Sequence, residues 1–426
     1  MRRMVRYLDR FVLLLFASVA LASCVFEDYV DEDPAIKRTI LVYMAAENDL
    51  SKYVQTNMRD MRIALKGMDD LVNLLVYVDR RQTSADGGIP APVLIQVHDD
   101  RYDTVCVFAE HNSCDPVVFA QVIEYVKENW ETDSYGLVLW SHGTGWVPGS
   151  QMHYVAPNLN YVQPRDGGRE WDKDDWYPWF PGGTRYFGRD EGAPSGYKTM
   201  NVIDMAKHIQ DQMFDLIMFD ACYMGNIEVV YELRNKTKYF ISSASEIMGE
   251  GFPYIEIMQD LAYGNLTNVC RGFYKHYLKF SGFSQLGCVS LVRTEGLDSL
   301  ASCFGRIVAG SADTIPNMDT QGIQLLDRFK KHVFYDLADF VSHVASDNDR
   351  IEFNNQLNRC VIYKATTPYL FKSDSESSIS PYEIKMNTFC GLSVYIPLSV
   401  YEDPGLNDDY RKLKWSEETG YGKAQP

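Results

Sequence analysis

Residues 214–225 read FDLIMFDACYMG. An apolar run ends abruptly at Asp220-Ala221-Cys222. Residues 135–146, YGLVLWSHGTGW, repeat the layout, with the run ending at Ser141-His142-Gly143. Short uninterrupted apolar runs suit strands buried on both faces of a parallel sheet. Working outward, residues 39–44 and 72–78 read as two more such strands, with a helically spaced segment over 50–66 between them. Residues 92–97 and 104–109 form a plausible hairpin across the polar turn 98–103. Asp115-Pro116 is an N-cap followed by Pro at the first helical position, opening a helix that runs to about Trp130. Downstream, strands at 214–219, 239–244 and 286–292 alternate with helices at 200–212, 226–234, 253–262 and 266–279. This rhythm predicts parallel β-α units covered on both faces, an α/β fold. After about residue 293 helical patterns dominate to about 360, and strand-like pieces follow at 360–365 and 391–397.

In open parallel sheets, ligands bind beyond the carboxyl ends of the strands. Neighbouring strands would bring His142 and Cys222 to one rim across a sequence separation of 80. A thiolate can attack a carbonyl while an imidazole manages the protons of thiol and leaving amine. Gly143 leaves its backbone N–H able to face a tetrahedral oxyanion together with that of Cys222. Taken singly, a strand-end histidine is more often structural and a lone cysteine more often core. The matched contexts and small neighbours make the pair a candidate for acyl transfer.

The 426 residues are 46% hydrophobic and 23% charged, which excludes a disordered chain. The net charge of −17 argues against sequence-independent nucleic-acid binding. Arg2, Arg3, Arg6 and Arg10 precede an apolar stretch over 11–22, the layout of a secretory signal. Leu21-Ala22-Ser23-Cys24 resembles a bacterial lipobox, which implies lipidation of Cys24 as the mature N-terminus. Residues 27–33, EDYVDED, read as an acidic tether, and acids just after the Cys resemble a surface-export mark. The expected location is therefore the bacterial cell envelope, as an outer-membrane lipoprotein. Beyond Cys24, eight cysteines without a CxxC pair argue against a zinc or disulfide framework.

The segments 141–146 and 219–225 resemble the two signatures of the clostripain-like cysteine peptidases, relatives of caspases, gingipains and legumain. Supporting matches are LVYMAAENDL (41–50), RYFGRD (185–190), VYELR (230–234) and GFPY (251–254). The resemblance implies a caspase-like three-layer α/β sandwich with a mostly parallel sheet. On that reading 1–23 is the signal peptide, 24–38 the tether and 39–292 the catalytic domain, with 147–198 a long loop insertion. Residues 293–426 form a smaller C-terminal subdomain packed on it. His142 is implied as general acid/base, Cys222 as nucleophile, and the backbone N–H groups of Gly143 and Cys222 as the oxyanion hole. No third side chain is expected to orient the histidine. The family's preference for Arg or Lys before the scissile bond implies Asp220 as the reader of that cation, with Glu250 or Glu246 as a second acid.

The implied substrates are proteins or peptides with basic residues. Arg165, Arg169, Lys173, Arg185 and Arg189 offer basic sites for self-processing between the two signatures. The mechanism requires no metal or other cofactor. Calcium activates some relatives, and Asp174-Asp175 and Asp408-Asp409 are acidic pairs without EF-hand spacing. Two other functions fit the same residues: an inactive surface protein binding peptides or glycans, and a transpeptidase or amidase using the same dyad.

Overall fold

The structure, a computed structural model, describes residues 37–80, 92–148, 151, 187–192, 198–373 and 382–423. Cys24, the signal, most of the tether and most of 147–198 lie outside the described residues, as do Arg165, Arg169, Lys173, Arg185 and Asp174-Asp175. No helix among the described residues is long and apolar enough to cross a membrane.

The first half runs β1 (Arg38–Ala46), α1 (Ser51–Ala64), β2 (Val72–Arg80), β3 (Val93–Val97), β4 (Tyr102–Val107), α2 (Pro116–Asn129) and β5 (Ser134–Trp140). Asp115 caps α2 as its sequence predicts, its side chain accepting from the Val117 N–H. A short hairpin follows, β6 (Phe187–Asp190) with β7 (Lys198–Met200), then α3 (Val202–His208), β8 (Phe214–Asp220), α4 (Ile227–Glu232) and β9 (Thr237–Ser242). Helices α5 (Tyr254–Tyr263) and α6 (Leu266–Leu278) lead to β10 (Cys288–Arg293) and α7 (Leu297–Ala309). The remaining elements used below are β11 (Tyr335–Asp336), α8 (Leu337–Val344), α9 (Asp347–Cys360) and β12 (Val361–Thr366).

Nine strands make one sheet in the order β12-β10-β9-β8-β5-β1-β2-β3-β4. The five central strands, β9 through β2, are parallel. Every residue of β1 is buried, which explains why that strand reads as apolar without alternation. Helix α1 packs on α5, and α5 on α6; a second group joins α2 to α3 and α3 to α4. This is the mostly parallel, helix-flanked sheet expected from the sequence.

Two details differ from the sequence reading. Strand β10 is antiparallel to β9 rather than another parallel unit. Two packed helices, α5 and α6, intervene, so the chain returns to the end of the sheet where β9 finished and enters β10 reversed. The strand-like stretch 391–397 contributes only Ser393–Val394, paired with β11 outside the main sheet. Its backbone is claimed elsewhere: Ser393 N–H donates to the Gly225 carbonyl and Tyr395 N–H to the Glu228 carboxylate. Residues 361–366 join the main sheet as β12, so the region after 293 contributes an edge strand as well as helices.

Candidate active site

Strands β5 and β8 pair in register, with Trp140 opposite Asp220. His142 and Cys222 each lie two residues further on, at the same rim of the sheet. Their loops touch. A Cβ at Gly143 would stand 2.4 Å from the Cys222 carbonyl oxygen, so only glycine permits this approach. The rim is pinned from three sides. Ser141 N–H donates to the Asp220 carbonyl, Ser141 Oγ to the Ala45 carbonyl, and Gly188 N–H to the His142 carbonyl at 2.9 Å. Among the described residues, neither the Gly143 nor the Cys222 backbone N–H has a hydrogen-bond partner.

The turn after Cys222 is strained. Tyr223 sits at φ 60°, a left-handed conformation uncommon for a side chain of its size. It is held there by Tyr223 N–H on the Ser245 carbonyl and Tyr223 OH on Glu246 Oε1 at 2.6 Å. Gly225 N–H adds a bond to the Ser243 carbonyl. The 243–247 loop thereby forms one wall of the cysteine's surroundings. Cys222 Sγ is 3.4 Å from the Ile247 N and 3.7 Å from the Ile247 carbonyl. Burial, then the charge of Glu246, push the thiol well above its ordinary range, against the Ile247 N–H and the Arg328 cation. All eight cysteines among the described residues are free, Cys106 and Cys114 included.

His142 has a carboxylate partner that sequence reading missed. Its Nε2 lies 2.8 Å from Asp49 Oδ1. Burial alone would raise the Asp49 carboxyl; the hydrogen bond and charge of His142 outweigh it and bring it below its ordinary value. Asp49 follows the end of β1, the central strand beside β5, so the strand-end rule that picks out His142 and Cys222 also reaches it. Asn48 braces the same turn, donating to the carbonyls of Ala45 and Arg189.

Asp220 lies 3% exposed beneath the pair. Its oxygens accept from Phe252 N–H at 3.2 Å and Tyr254 OH at 2.7 Å. Burial raises its carboxyl to about 7 in spite of both bonds. It does not cap the following helix, because Asn226 does so by accepting from Val229 N–H. Glu250 is exposed, one residue before the Gly251–Phe252 turn that abuts Asp220. Its backbone carbonyl holds Asn57, whose Oδ1 takes the indole N–H of Trp140.

Glu246 departs from the role expected of it. It is buried and gripped by Arg328, with Nε on Oε1 and Nη2 on Oε2, both at 2.8 Å. Charge-assisted, two-point pairing of this kind leaves no vacancy for a substrate cation. Arg328 arrives from the C-terminal region on a turn wound around Asp327, whose carboxylate accepts from the N–H groups of Phe329, Val333 and Phe334. Its guanidinium also lies over Phe371, 5.0 Å from the ring centre. The acidic pair Asp408-Asp409 is engaged with Arg411 and Lys412.

The model of the clostripain family, the C11 peptidases, matches residues 42–161 and 166–424. Clostripain from Hathewaya histolytica is 26% identical over 262 residues, which cover 54% of this chain but only 43% of that protein. An inactive zymogen C11 protease from Parabacteroides distasonis is similar over 92% of this chain and all of its own, with a TM-score of 0.72 and 29% identity. A secreted C11 cysteine protease from Bacteroides thetaiotaomicron, solved with an irreversible peptide inhibitor, covers 90% of this chain and 99% of its own at a TM-score of 0.70 and 25% identity. The chain belongs to the clostripain family of cysteine peptidases.

Proposed function

We propose that the protein is an exported cysteine endopeptidase that cuts after Arg or Lys through Cys222 and His142. The observation that carries the reading is the shared register: both side chains stand two residues past a paired Trp140 and Asp220. With Nε2 committed to Asp49, Nδ1 of His142 is the nitrogen that takes the thiol proton. Sγ then bonds to the substrate carbonyl carbon. The backbone N–H groups of Gly143 and Cys222 receive the oxyanion. His142 returns the proton to the leaving amine, and water later releases the acyl group from sulfur.

A purely structural Asp49 would affect stability alone. A positioning role predicts that Asp49→Ala lowers kcat about 10²-fold, the lower range of general acid–base catalysis, with KM little changed. An unchanged kcat in Asp49→Ala would leave Asp49 only a packing role.

Asp220 is proposed as the carboxylate that reads the substrate cation, with Glu250 as the second acid. Fluorogenic peptides with Arg, Lys, Asp or Asn before the cleavable bond test this, with and without calcium. Asp220→Asn should lower kcat/KM on Arg peptides by roughly 10²- to 10³-fold, the scale of truncating one member of a buried charge pair. Because Asp220 holds its proton up to about pH 7, Arg cleavage should climb as pH rises through that value. The same shift makes its stability contribution fully present below its ordinary range and lost above about 7. Cleavage only after Asp or Asn would overturn the assignment.

His142 and Cys222 are 5% and 3% exposed. That burial favours a covered precursor that self-processing within 147–198 would open, and Arg189 is the described one of its five basic candidates. It is also what an idle binding protein would show. Turnover, or labelling of Cys222 by a thiol-reactive peptide, separates the two. Envelope anchoring through Cys24 would appear as a diacylglycerol mass on the N-terminal peptide, and an unmodified peptide would refute it.

A further inference from the structure

We infer that Tyr223, Glu246 and Arg328 are positioning residues for the reaction at Cys222: an ion pair completed by the C-terminal region holds the strained turn that carries the sulfur and its backbone N–H. The inference rests on Cys222 being the nucleophile. Cys222 can present Sγ and its N–H only as firmly as the next residue is held. That residue, Tyr223, lies at φ 60°, a conformation that persists only where the surroundings over-determine it. Its hydroxyl donates to Glu246 Oε1 at 2.6 Å. Its ring packs on Phe329 and Phe334, with centres 5.0 and 5.1 Å away. Both of those residues belong to the turn wound around Asp327 that also carries Arg328.

Glu246 acts on the sulfur from a second direction. Its neighbour in the chain, Ile247, has its N 3.4 Å from Sγ. The one acid therefore steadies the residue after the nucleophile through its side chain and the N–H beside the sulfur through its backbone. Arg328 in turn fixes the carboxylate with two bonds at 2.8 Å. The guanidinium is itself confined, with the ring centres of Phe371, Phe283 and Tyr382 at 5.0, 5.6 and 5.9 Å. Phe371 also has a positive φ, 55°, so a second strained residue stands at the far end of the same chain of contacts.

The chemistry favours geometry over activation. A buried ion pair is a poor source of stability beside well-packed apolar groups. By charge, Glu246 works against the nucleophile, because it pushes the thiol up. An acid with that effect, set against the reacting cysteine and gripped by a two-point cation, contributes through orientation. Misplacing reacting groups by about 1 Å costs on the order of 10²-fold in rate. The turn bears both Sγ and an oxyanion donor, so loosening it falls on the transition state and not on substrate binding.

The test compares the full-length protein with Tyr223→Phe, Glu246→Gln and Arg328→Lys. Tyr223→Phe is decisive, because it removes one hydroxyl and keeps the ring packing. It should lower kcat about tenfold, with KM unchanged, on the best-cleaved peptide of the Arg, Lys, Asp and Asn panel. Affinity for the aldehyde of the same sequence should fall by the same factor. Sγ adds to the aldehyde carbon, the thiol proton ends on the new hydroxyl, and that oxygen takes the oxyanion's place. Glu246→Gln should lower both quantities about 10²-fold. Arg328→Lys, which keeps the charge and loses the second bond, should fall between the two. Amide exchange over 222–225 should quicken at least about tenfold in all three, with the protection of β1 unchanged. A lower thermal midpoint with kcat and aldehyde affinity unchanged would reduce the three to structural contacts and overturn the inference. If the unaltered protein cleaves no peptide of the panel, that failure belongs to the proposed function. Exchange then decides the present inference, and undiminished protection over 222–225 in Tyr223→Phe overturns it.

Discussion

Cys222→Ala is expected to lower peptide hydrolysis at least about 10⁵-fold while leaving the fold in place. The substitution removes only Sγ. The loops around it are held by backbone contacts: Gly143 against the Cys222 carbonyl, Tyr223 N–H on Ser245, and Gly225 N–H on Ser243. None of these needs the sulfur, so the stability loss should stay near that of deleting one small buried group, about 1 kcal/mol. Cys222→Ser should recover almost nothing, because a serine hydroxyl is a far weaker nucleophile than a thiolate at neutral pH. The same variant reports on maturation. During incubation the unaltered protein should be cut between 147 and 198, and Cys222→Ala should stay a single chain. If both remain uncut for days, self-processing is excluded. If the alanine variant still hydrolyses Arg peptides, the nucleophile lies elsewhere.

Arg328→Met should destabilise the protein by about 3–5 kcal/mol, measured as a lower denaturant midpoint. Both members of the Arg328–Glu246 pair are buried, with side chains 1% and 4% exposed. Removing the guanidinium strands the Glu246 carboxylate in the interior, beside Tyr223 OH and near the thiol it already disfavours. The expected secondary effect is slower labelling of Cys222 by thiol reagents. The double variant Arg328→Met with Glu246→Gln should regain a good part of the loss, because no unpaired charge remains. If the single variant is as stable as the parent, the pair contributes little and the 243–247 loop is held by its backbone bonds alone.

These two positions differ in how visible they are in the sequence. Cys222 and His142 stand out because each ends a short apolar run beside a small residue, and a parallel sheet converts that local pattern into a shared location. The core strands were legible for the same reason: burial on both faces removes the polar alternation that a half-exposed strand would show. Arg328 carries no such mark. It belongs to an irregular turn organised by Asp327, and its partner lies 82 positions earlier on a different loop. Glu246 looked like a solvated or substrate-facing acid because sequence gives no sign of a cation arriving from the far end of the chain. Asp49 is within reach of the strand-end rule, but the family resemblance implies no third side chain beside the dyad. The reversal of β10 depends on how α5 and α6 pack, and helical periodicity does not encode strand direction.

The strand order has one more consequence. Within the main sheet, β1 to β5 lie on one half, and β8, β9, β10 and β12 on the other. The boundary between the halves is the β5–β8 ladder, with the imidazole on one bank and the sulfur on the other. A scission anywhere in the intervening stretch would divide the polypeptide along that frontier, so neither fragment alone would own a complete reaction centre. The fragments would nonetheless migrate as one particle, zipped by main-chain bonds and a shared apolar interior. Two bands under denaturing conditions and a single native species would be the signature of a peptidase whose halves are severed covalently but joined mechanically.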